Sequence, residues 1–289
     1  MDLTIATIDD LKKEALDIEL EVSKKRTQEL IDRPTWGVPI DPNDLSKGKN
    51  YPLHDHQRIL YESQRRYTAG IAGTGGGKTA VGALWSVKQI NQVLSRTQKI
   101  IGKPYVLGFI VAPTYKILSR ATVPMFMDVI SGTAIGPSAG GRYLESKSYY
   151  ELPNKWGKIW CQGADNPYGL EGGQFDFVWG DEGGQISKRA FNALIGRTGQ
   201  KQAPILITTT PYITSEGFGP LHKQWMPRFK AGDKDYLIVN FPSIANPAYP
   251  IDEYERQKRS LPPEIFASRY QGLFTAIEGQ VYPGFPKVV

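Results

Sequence analysis

Cysteine is almost missing from this chain, with one residue, Cys161, in 289. A lone thiol excludes an internal disulfide framework and a cysteine-built zinc site, and it fits a reducing compartment. Histidine is scarce too. His54 and His56 have no third ligand close by in sequence, which leaves no histidine-rich metal centre. No apolar run reaches the ~18 residues that a membrane-spanning helix needs. The first twenty residues, MDLTIATIDDLKKEALDIEL, are amphipathic and acidic, which is not the basic-then-apolar pattern of a signal peptide.

What is present is an apolar fraction of 40%, enough for one large α/β core or two smaller ones. The net charge is +6 with a pI near 9.1, so a polyanionic partner is permitted. The excess is spread along the chain, at Lys24, Lys25 and Arg26, at Lys223, Arg228 and Lys230, and at Arg256, Lys258 and Arg259. Taken alone, each of these groups reads first as a solvated helix face.

The stretch that organises the rest is TAGIAGTGGGKTAVGALW, Thr68 to Trp85. It reads as an apolar strand, a glycine-rich turn and a helix opening on Lys78 and Thr79. The start of a helix offers unpaired N–H groups and partial positive charge, which makes an anion site. Glycines at 73, 75, 76 and 77 let the backbone close around a polyphosphate. The spacing is that of a phosphate-binding loop, G-x-x-x-x-G-K-[ST], with Ala72 in place of the first glycine. Ala72, Gly73, Thr74, Gly75, Gly76, Gly77, Lys78 and Thr79 are therefore the candidate nucleotide cradle. In it Lys78 reaches the β- and γ-phosphates and Thr79 holds Mg²⁺.

Two further strand ends carry chemistry. FDFVWGD (Phe175 to Asp181) is a buried strand closed by Asp181 and Glu182, in the crevice where open α/β sheets bind ligands. This is a Walker B pattern, with Asp181 holding Mg²⁺ through water and Glu182 polarising the attacking water. Ala203 to Ile207 is another apolar strand, running into Thr208, Thr209, Thr210 and Pro211. Those hydroxyls stand where a γ-phosphate or its water could be sensed, although threonine is also simply common in strands. Strands, P-loop and helices in this order predict a parallel sheet sandwiched by helices.

Elsewhere, Asp9 to Asp32 predicts an amphipathic helix and Pro34 to Tyr51 a loop or linker. Gln57, in the short helix before the P-loop strand, can reach a base, and its carboxamide matches adenine N6 and N7; a surface role reads equally well. The helix after the P-loop is expected to run from Lys78 to about Leu94, and Tyr105 to Ala112 to form a strand. Met125 to Ile130 reads as a helix, and Tyr143 to Leu152 and Lys158 to Gln162 as two strands. A helix at Phe191 to Ile195, a strand at Tyr236 to Asn240 and helices at Asp252 to Ser260 and Pro263 to Tyr270 complete the reading.

With these motifs placed, residues 50 to 285 resemble the ATPase portion of the large terminase subunit of tailed bacteriophages. The resemblance rests on AGTGGGKT, on APTY (Ala112 to Tyr115), on GLEGGQFDFVWGDEG (Gly169 to Gly183) and on ITTTP (Ile207 to Pro211). NP at Asn246, QGLF and EGQVYPGF complete it. It implies a P-loop NTPase fold of the RecA/ASCE type with a small lid subdomain. Residues 1–50 would be a helical lid element and linker, 51–240 the core, and 241–289 a lid and linker region. It also implies ATP and Mg²⁺ as cofactors and hydrolysis coupled to packaging of double-stranded DNA. Expected partners are the portal protein, the small terminase subunit and further copies in a ring, although the isolated fragment could be monomeric. The place of action would be the host cytoplasm, at the procapsid, with no membrane involved.

By position the resemblance makes Glu182 the catalytic glutamate, Thr208 to Thr210 the coupling motif and Gln57 the adenine-side glutamine. A nuclease domain would follow residue 289, so no cleavage is expected from this sequence. Competing readings are a helicase-like nucleic-acid-dependent ATPase, which needs a second RecA-like core, and a regulatory module that binds ATP without turnover. Many relatives carry an arginine in the P-loop, where this chain has Thr74, or before the Walker B strand, where it has Glu171. Such an arginine is worth ~10³ to 10⁵ in rate. Arg197, ahead of Arg142, Arg120 and Arg189, is the expected substitute, from the same subunit or a neighbour. For any one of them, an exposed structural arginine is the first reading.

Overall fold

In the computed structural model, which describes residues 35–41, 44–170, 172–214 and 217–275, the apolar runs become neighbours in one eight-stranded sheet. A hairpin comes first, β1 (Thr35–Asp41) antiparallel to β2 (Asp44–Pro52). Helix α1 (Asp55–Glu62) leads to β3 (Tyr67–Ala72), and the glycine-rich turn feeds the long α2 (Lys78–Ile101) and then β4 (Val106–Ala112). The next crossover is helical, with a π turn at Leu118–Thr122 running into α3 (Val123–Ile130). Three strands follow, β5 (Arg142–Leu144), β6 (Tyr149–Glu151) and β7 (Gly157–Gly163). After β8 (Phe177–Asp181), α4 (Lys188–Gly196) and β9 (Ile205–Thr209) comes a small hairpin, β10 (Ile213–Thr214) and β11 (Gly217–Phe218). The described chain ends with α5 (Met226–Lys230), β12 (Tyr236–Phe241), α6 (Ile251–Ser260) and α7 (Pro263–Gln271).

The order across the sheet is β12-β3-β9-β8-β4-β7-β6-β5, and the first six strands run parallel. Side chains alternate between the two faces, as strand geometry requires. One face presents Ile110, Phe177, Trp179 and Leu206 to Val81, Leu84, Trp85 and Ile90 of α2 and to Phe126 and Val129 of α3. The other presents Ile71, Phe109, Val178, Ile205 and Ile207 to Ala190, Phe191 and Leu194 of α4 and to Trp225. Both faces are covered, so the parallel strands read as continuous apolar runs. Helix α2 lies close to the sheet because position 82 has no side chain; a Cβ there would fall 2.2 Å from the Trp179 indole.

Several expectations need correction. The predicted Asp9 to Asp32 helix lies outside the described residues. The Pro34 to Tyr51 linker is replaced by the β1–β2 hairpin. Its turn residues cluster at Asp41 to Asp44, while Trp36, Val38 and Ile40 keep the period-two alternation of a strand. Tyr143 to Leu152 is not one strand but two, β5 and β6, folded on each other through a 3-10 turn at Glu145–Lys147 and Ser148 at φ 55°. Helix α2 continues one and a half to two turns past Leu94, to a glycine C-cap at Gly102, whose N–H reaches Gln98 O.

Candidate nucleotide site

The register assembles the site at one end of the sheet. Asp181, last in β8, lies opposite Thr208 of β9, and Ile71 of the P-loop strand lies opposite Thr209. The strand carrying the threonines therefore stands between the P-loop strand and the acidic strand. The carboxyl ends of all three open on the same crevice.

Gly77 is the N-cap of α2, at φ +83°, a left-handed conformation suited to glycine, and with no side chain it leaves the first-turn N–H groups of the helix uncapped. Gly75, at φ +76°, turns the tip of the loop. The Lys78 ammonium points back across the crevice to Glu182, Nζ to Oε1 3.1 Å, with both side chains largely buried. Thr79 Oγ1 donates to Asp181 Oδ1 at 3.4 Å.

Asp181 is held by hydroxyls. Thr208 Oγ1 donates to Oδ1 and Thr122 Oγ1 to Oδ2, each at 2.9 Å, and the Trp179 indole N–H in turn donates to Thr208 Oγ1 at 2.9 Å. Thr122 is a site residue that sequence reasoning missed. It sits on the π turn of the crossover after β4, and no local motif marks it; only the topology brings it to Asp181.

Burial, first, and then the adjacent Glu182 charge push the Asp181 carboxyl up to about 6, against the pull of the Thr122 and Thr208 hydrogen bonds and of Lys78. The folded value exceeds the ordinary 3.8, so the folded state binds this proton more tightly than the unfolded chain. Holding Asp181 ionised at neutral pH then costs the metal-free protein on the order of 1–3 kcal/mol. That cost disappears as pH falls through about 6 to below 3.8. Metal-free Asp181→Asn is accordingly expected to be more stable than the wild type at pH 7.5 and no more stable below about pH 4. Urea unfolding at the two pH values checks this, and equal stability at pH 7.5 would refute it.

Glu182 adopts φ 49°, ψ 36°, a left-handed conformation that is uncommon for a side chain of this size and that costs roughly 1–3 kcal/mol. The turn brings its carboxylate to Lys78 and within 3.4 Å of Thr210 N. Thr209 Oγ1 accepts from Gly184 N at 3.0 Å and donates to Thr210 O. Each of the three threonines thus bears on Asp181, on Glu182 or on the turn between β8 and α4.

Among the described residues no three His, Cys, Asp or Glu side chains cluster to hold a metal by themselves. The Thr79 hydroxyl and the Asp181 carboxylate, both hard oxygen donors, fit Mg²⁺, which takes one or two protein oxygens and completes its shell with water and phosphate.

The remaining candidates are distributed unevenly. Ala72 ends β3, Gly73 N donates to Phe241 O at 3.0 Å, and Thr74 N to Arg269 O at 2.7 Å. Gln57 lies against the P-loop, with Nε2 donating to Gly77 O at 2.8 Å. Arg197 lies at the wrong end of the sheet. Its carbonyl accepts from Phe175 N, two residues before β8 begins, so it sits roughly 20 Å from Asp181 by strand rise and does not reach the cradle of its own subunit. Loop position in the sequence does not reveal which end of a strand a loop visits. Arg142 pairs with Glu151, Arg189 lies over the Tyr168 ring, and Arg120 is exposed on the π turn two residues before Thr122.

Helices on both faces of a mainly parallel sheet, a phosphate loop and an extra strand between it and the acidic strand define a P-loop NTPase of the ASCE type. The family described as terminase large subunit, T4likevirus-type, N-terminal, matches residues 70–286, and the chain belongs to it. None of the curated proteins matches the sequence. Among solved structures, the large terminase of a thermophilic bacteriophage aligns over 82% of this chain and 57% of its own, with 15% identity and a TM-score of 0.62. The chain thus spans little more than half of that relative. The Thermus phage P74-26 large terminase ATPase domain aligns over 78% of this chain and 95% of its own (18% identity, TM-score 0.56). The HK97 bacteriophage large terminase aligns over 80% and 52% (13% identity, TM-score 0.57). The first of these three relatives has also been solved with ADP and with ATP-γ-S.

Proposed function

We propose that this chain is an ATPase that uses Mg-ATP hydrolysis to drive double-stranded DNA into a viral capsid. The observation that carries the reading is the Lys78–Glu182 ion pair at 3.1 Å, set beside the hydroxyl-bound Asp181. An entering triphosphate competes for Lys78 and for the open N-terminus of α2. Glu182 is then released to orient and polarise a water in line with the γ-phosphate. Thr79, and Asp181 through water, would hold Mg²⁺, which would supply neutralising charge to the phosphates. Through Thr208 to Thr210, a change at Asp181 or Glu182 moves the end of β9, the route by which hydrolysis couples to motion.

The chain works in the host cytoplasm, as part of a ring on the portal with the small terminase subunit. The ATPase core spans residues 51–240 and the lid region 241–289. The arginine that stabilises transition-state charge is another residue than Arg197 of the same subunit, or comes from a neighbouring copy. The fold likeness and the family support this reading, and the basic balance of the chain, +6, suits a DNA partner.

DNA contact through phosphates releases counterions, so the log of the binding constant should fall linearly with log salt, by about 0.9 per phosphate neutralised. Fluorescence anisotropy with a short duplex between 50 and 200 mM salt, values chosen to span about 10³-fold or more for a multi-phosphate site, tests this together with DNA-stimulated ATP turnover. Binding that ignores salt, or turnover indifferent to DNA, counts against the packaging reading.

A further inference from the structure

Three consecutive glycine carbonyls of the phosphate loop are each held by a side chain from outside it. Gly75 O accepts from Asn246 Nδ2 at 2.8 Å, Gly76 O from His54 Nε2 at 3.0 Å, and Gly77 O from Gln57 Nε2 at 2.8 Å. Two of the donors come from the start of α1 and one from the loop after β12, so the turn is gripped from both flanks.

The chemistry of each donor is fixed by its other bonds. Gln57 N donates to His54 Nδ1 at 3.4 Å, which makes Nδ1 an acceptor and leaves the proton of a neutral imidazole on Nε2, facing Gly76 O. His54 N donates to Gln57 Oε1 at 3.2 Å, so the other end of that carboxamide is the NH₂ group that meets Gly77 O. Asn246 Oδ1 accepts from Ala248 N at 3.1 Å, which turns its NH₂ group to Gly75 O. His54 and Gln57 are buried, 2% and 6% exposed, so these bonds are shielded from water.

The geometry has a direct bearing on anion binding. In a trans peptide the C=O of one residue and the N–H of the next point in opposite directions. Holding Gly76 O and Gly77 O outward turns the N–H groups of Gly77 and Lys78 toward the cradle. The Gly76 N–H is already bonded to Gly73 O at 3.0 Å, so Asn246 instead fixes the tip of the turn, against which the Tyr249 ring also packs. A segment with glycine at 73, 75, 76 and 77 loses much backbone entropy when ordered, and the glycines have no side chains with which to oppose that loss.

We propose that His54, Gln57 and Asn246 form a carbonyl brace that holds the phosphate loop in its anion-binding shape before any nucleotide arrives. In this brace Gln57 is a positioning residue acting through the loop. The brace deepens the nucleotide-site reading above and rests on it. It also gives the NP motif at Asn246 a task, tying the segment after β12 to the tip of the loop.

Hydrogen exchange of the whole chain without nucleotide tests the brace directly. Asn246→Ala and Gln57→Ala are expected to speed exchange in the 72–79 segment by about 10-fold, the worth of one net hydrogen bond, with β4 and β8 unchanged. His54→Ala should do the same, and His54→Gln, which keeps a donor of similar reach, should restore most of the protection. Binding is then compared for Mg-ATP and for inorganic tripolyphosphate, which has no base. Removal of any one brace residue should weaken both by a similar factor, about 10-fold.

Unchanged exchange at 72–79 in Asn246→Ala overturns the brace, even if His54→Ala fails to fold. Loss confined to ATP in Gln57→Ala returns that residue to adenine recognition. If the wild type binds neither probe, the nucleotide-site reading fails, while the nucleotide-free exchange data still decide the brace.

Discussion

Replacing Lys78 with alanine is expected to leave a folded chain that binds Mg-ATP at least ~100-fold more weakly, the loss of charge-assisted bonds to two phosphate groups. The reason lies in what faces the ammonium. Asp181 and Glu182 are adjacent carboxylates, and Lys78 lies 3.1 Å from the second and lowers the proton affinity of the first. Without it, two like charges face the crevice just where a triphosphate must enter. The phosphate then loses a cation and meets uncompensated repulsion. The same repulsion acts on the free protein, although the partial exposure of Glu182 keeps the penalty below the ~3–5 kcal/mol of a fully buried broken pair. Isothermal titration with Mg-ATP, with far-ultraviolet circular dichroism to verify folding, measures both. Binding within a few-fold of wild type would remove Lys78 from the phosphate site. Lys78→Arg should recover only part of the affinity, since a planar fork does not replace a point charge at the end of a four-carbon stem.

The motif residues and the strands behind them are legible in the sequence because burial and chemistry coincide there. VLGFIVA, FDFVWGD and ILITT are continuous apolar runs because each strand is covered on both faces, and polar groups appear only where the strands open on the crevice. Local spacing is also enough for Lys78, Thr79, Asp181 and Glu182, which the fold brings together as expected. What stays illegible depends on long-range topology. Thr122 is separated from Asp181 by 59 positions and carries no pattern of its own. The Gln57 carboxamide suits a base by its chemistry, whereas 20 residues on it finds a backbone carbonyl, a partner that no side-chain pattern reports. Arg197 follows the helix after the acidic strand, and that helix carries the chain back to the far end of the sheet before the arginine is reached. The β1–β2 hairpin is hidden by composition, since Pro, Gly, Asn and Asp outnumber the alternating apolar residues that actually pair.

Glu182→Gln should separate binding from turnover. Glutamine preserves the shape of the side chain and an oxygen for Thr210 N, now 3.4 Å from Glu182 Oε2, while removing the charge that attracts Lys78. Lys78 is then free of its competitor, so Mg-ATP should bind as tightly as in the wild type or more tightly. Turnover should fall by ~10² to 10⁴, the usual worth of a positioned general base, because a carboxamide does not accept the proton of the attacking water. Single-turnover hydrolysis of radiolabelled ATP, alongside equilibrium binding, resolves the two effects, and wild-type turnover in this variant would sink the assignment of Glu182. The left-handed backbone at Glu182 sharpens the expectation. Glycine adopts φ 49° without the strain that a side chain meets there. Glu182→Gly should therefore be more stable than Glu182→Gln, since both lack the Lys78 ion pair and only glycine relieves the backbone, yet remain as inactive. That combination places the function of the strained position in its carboxylate.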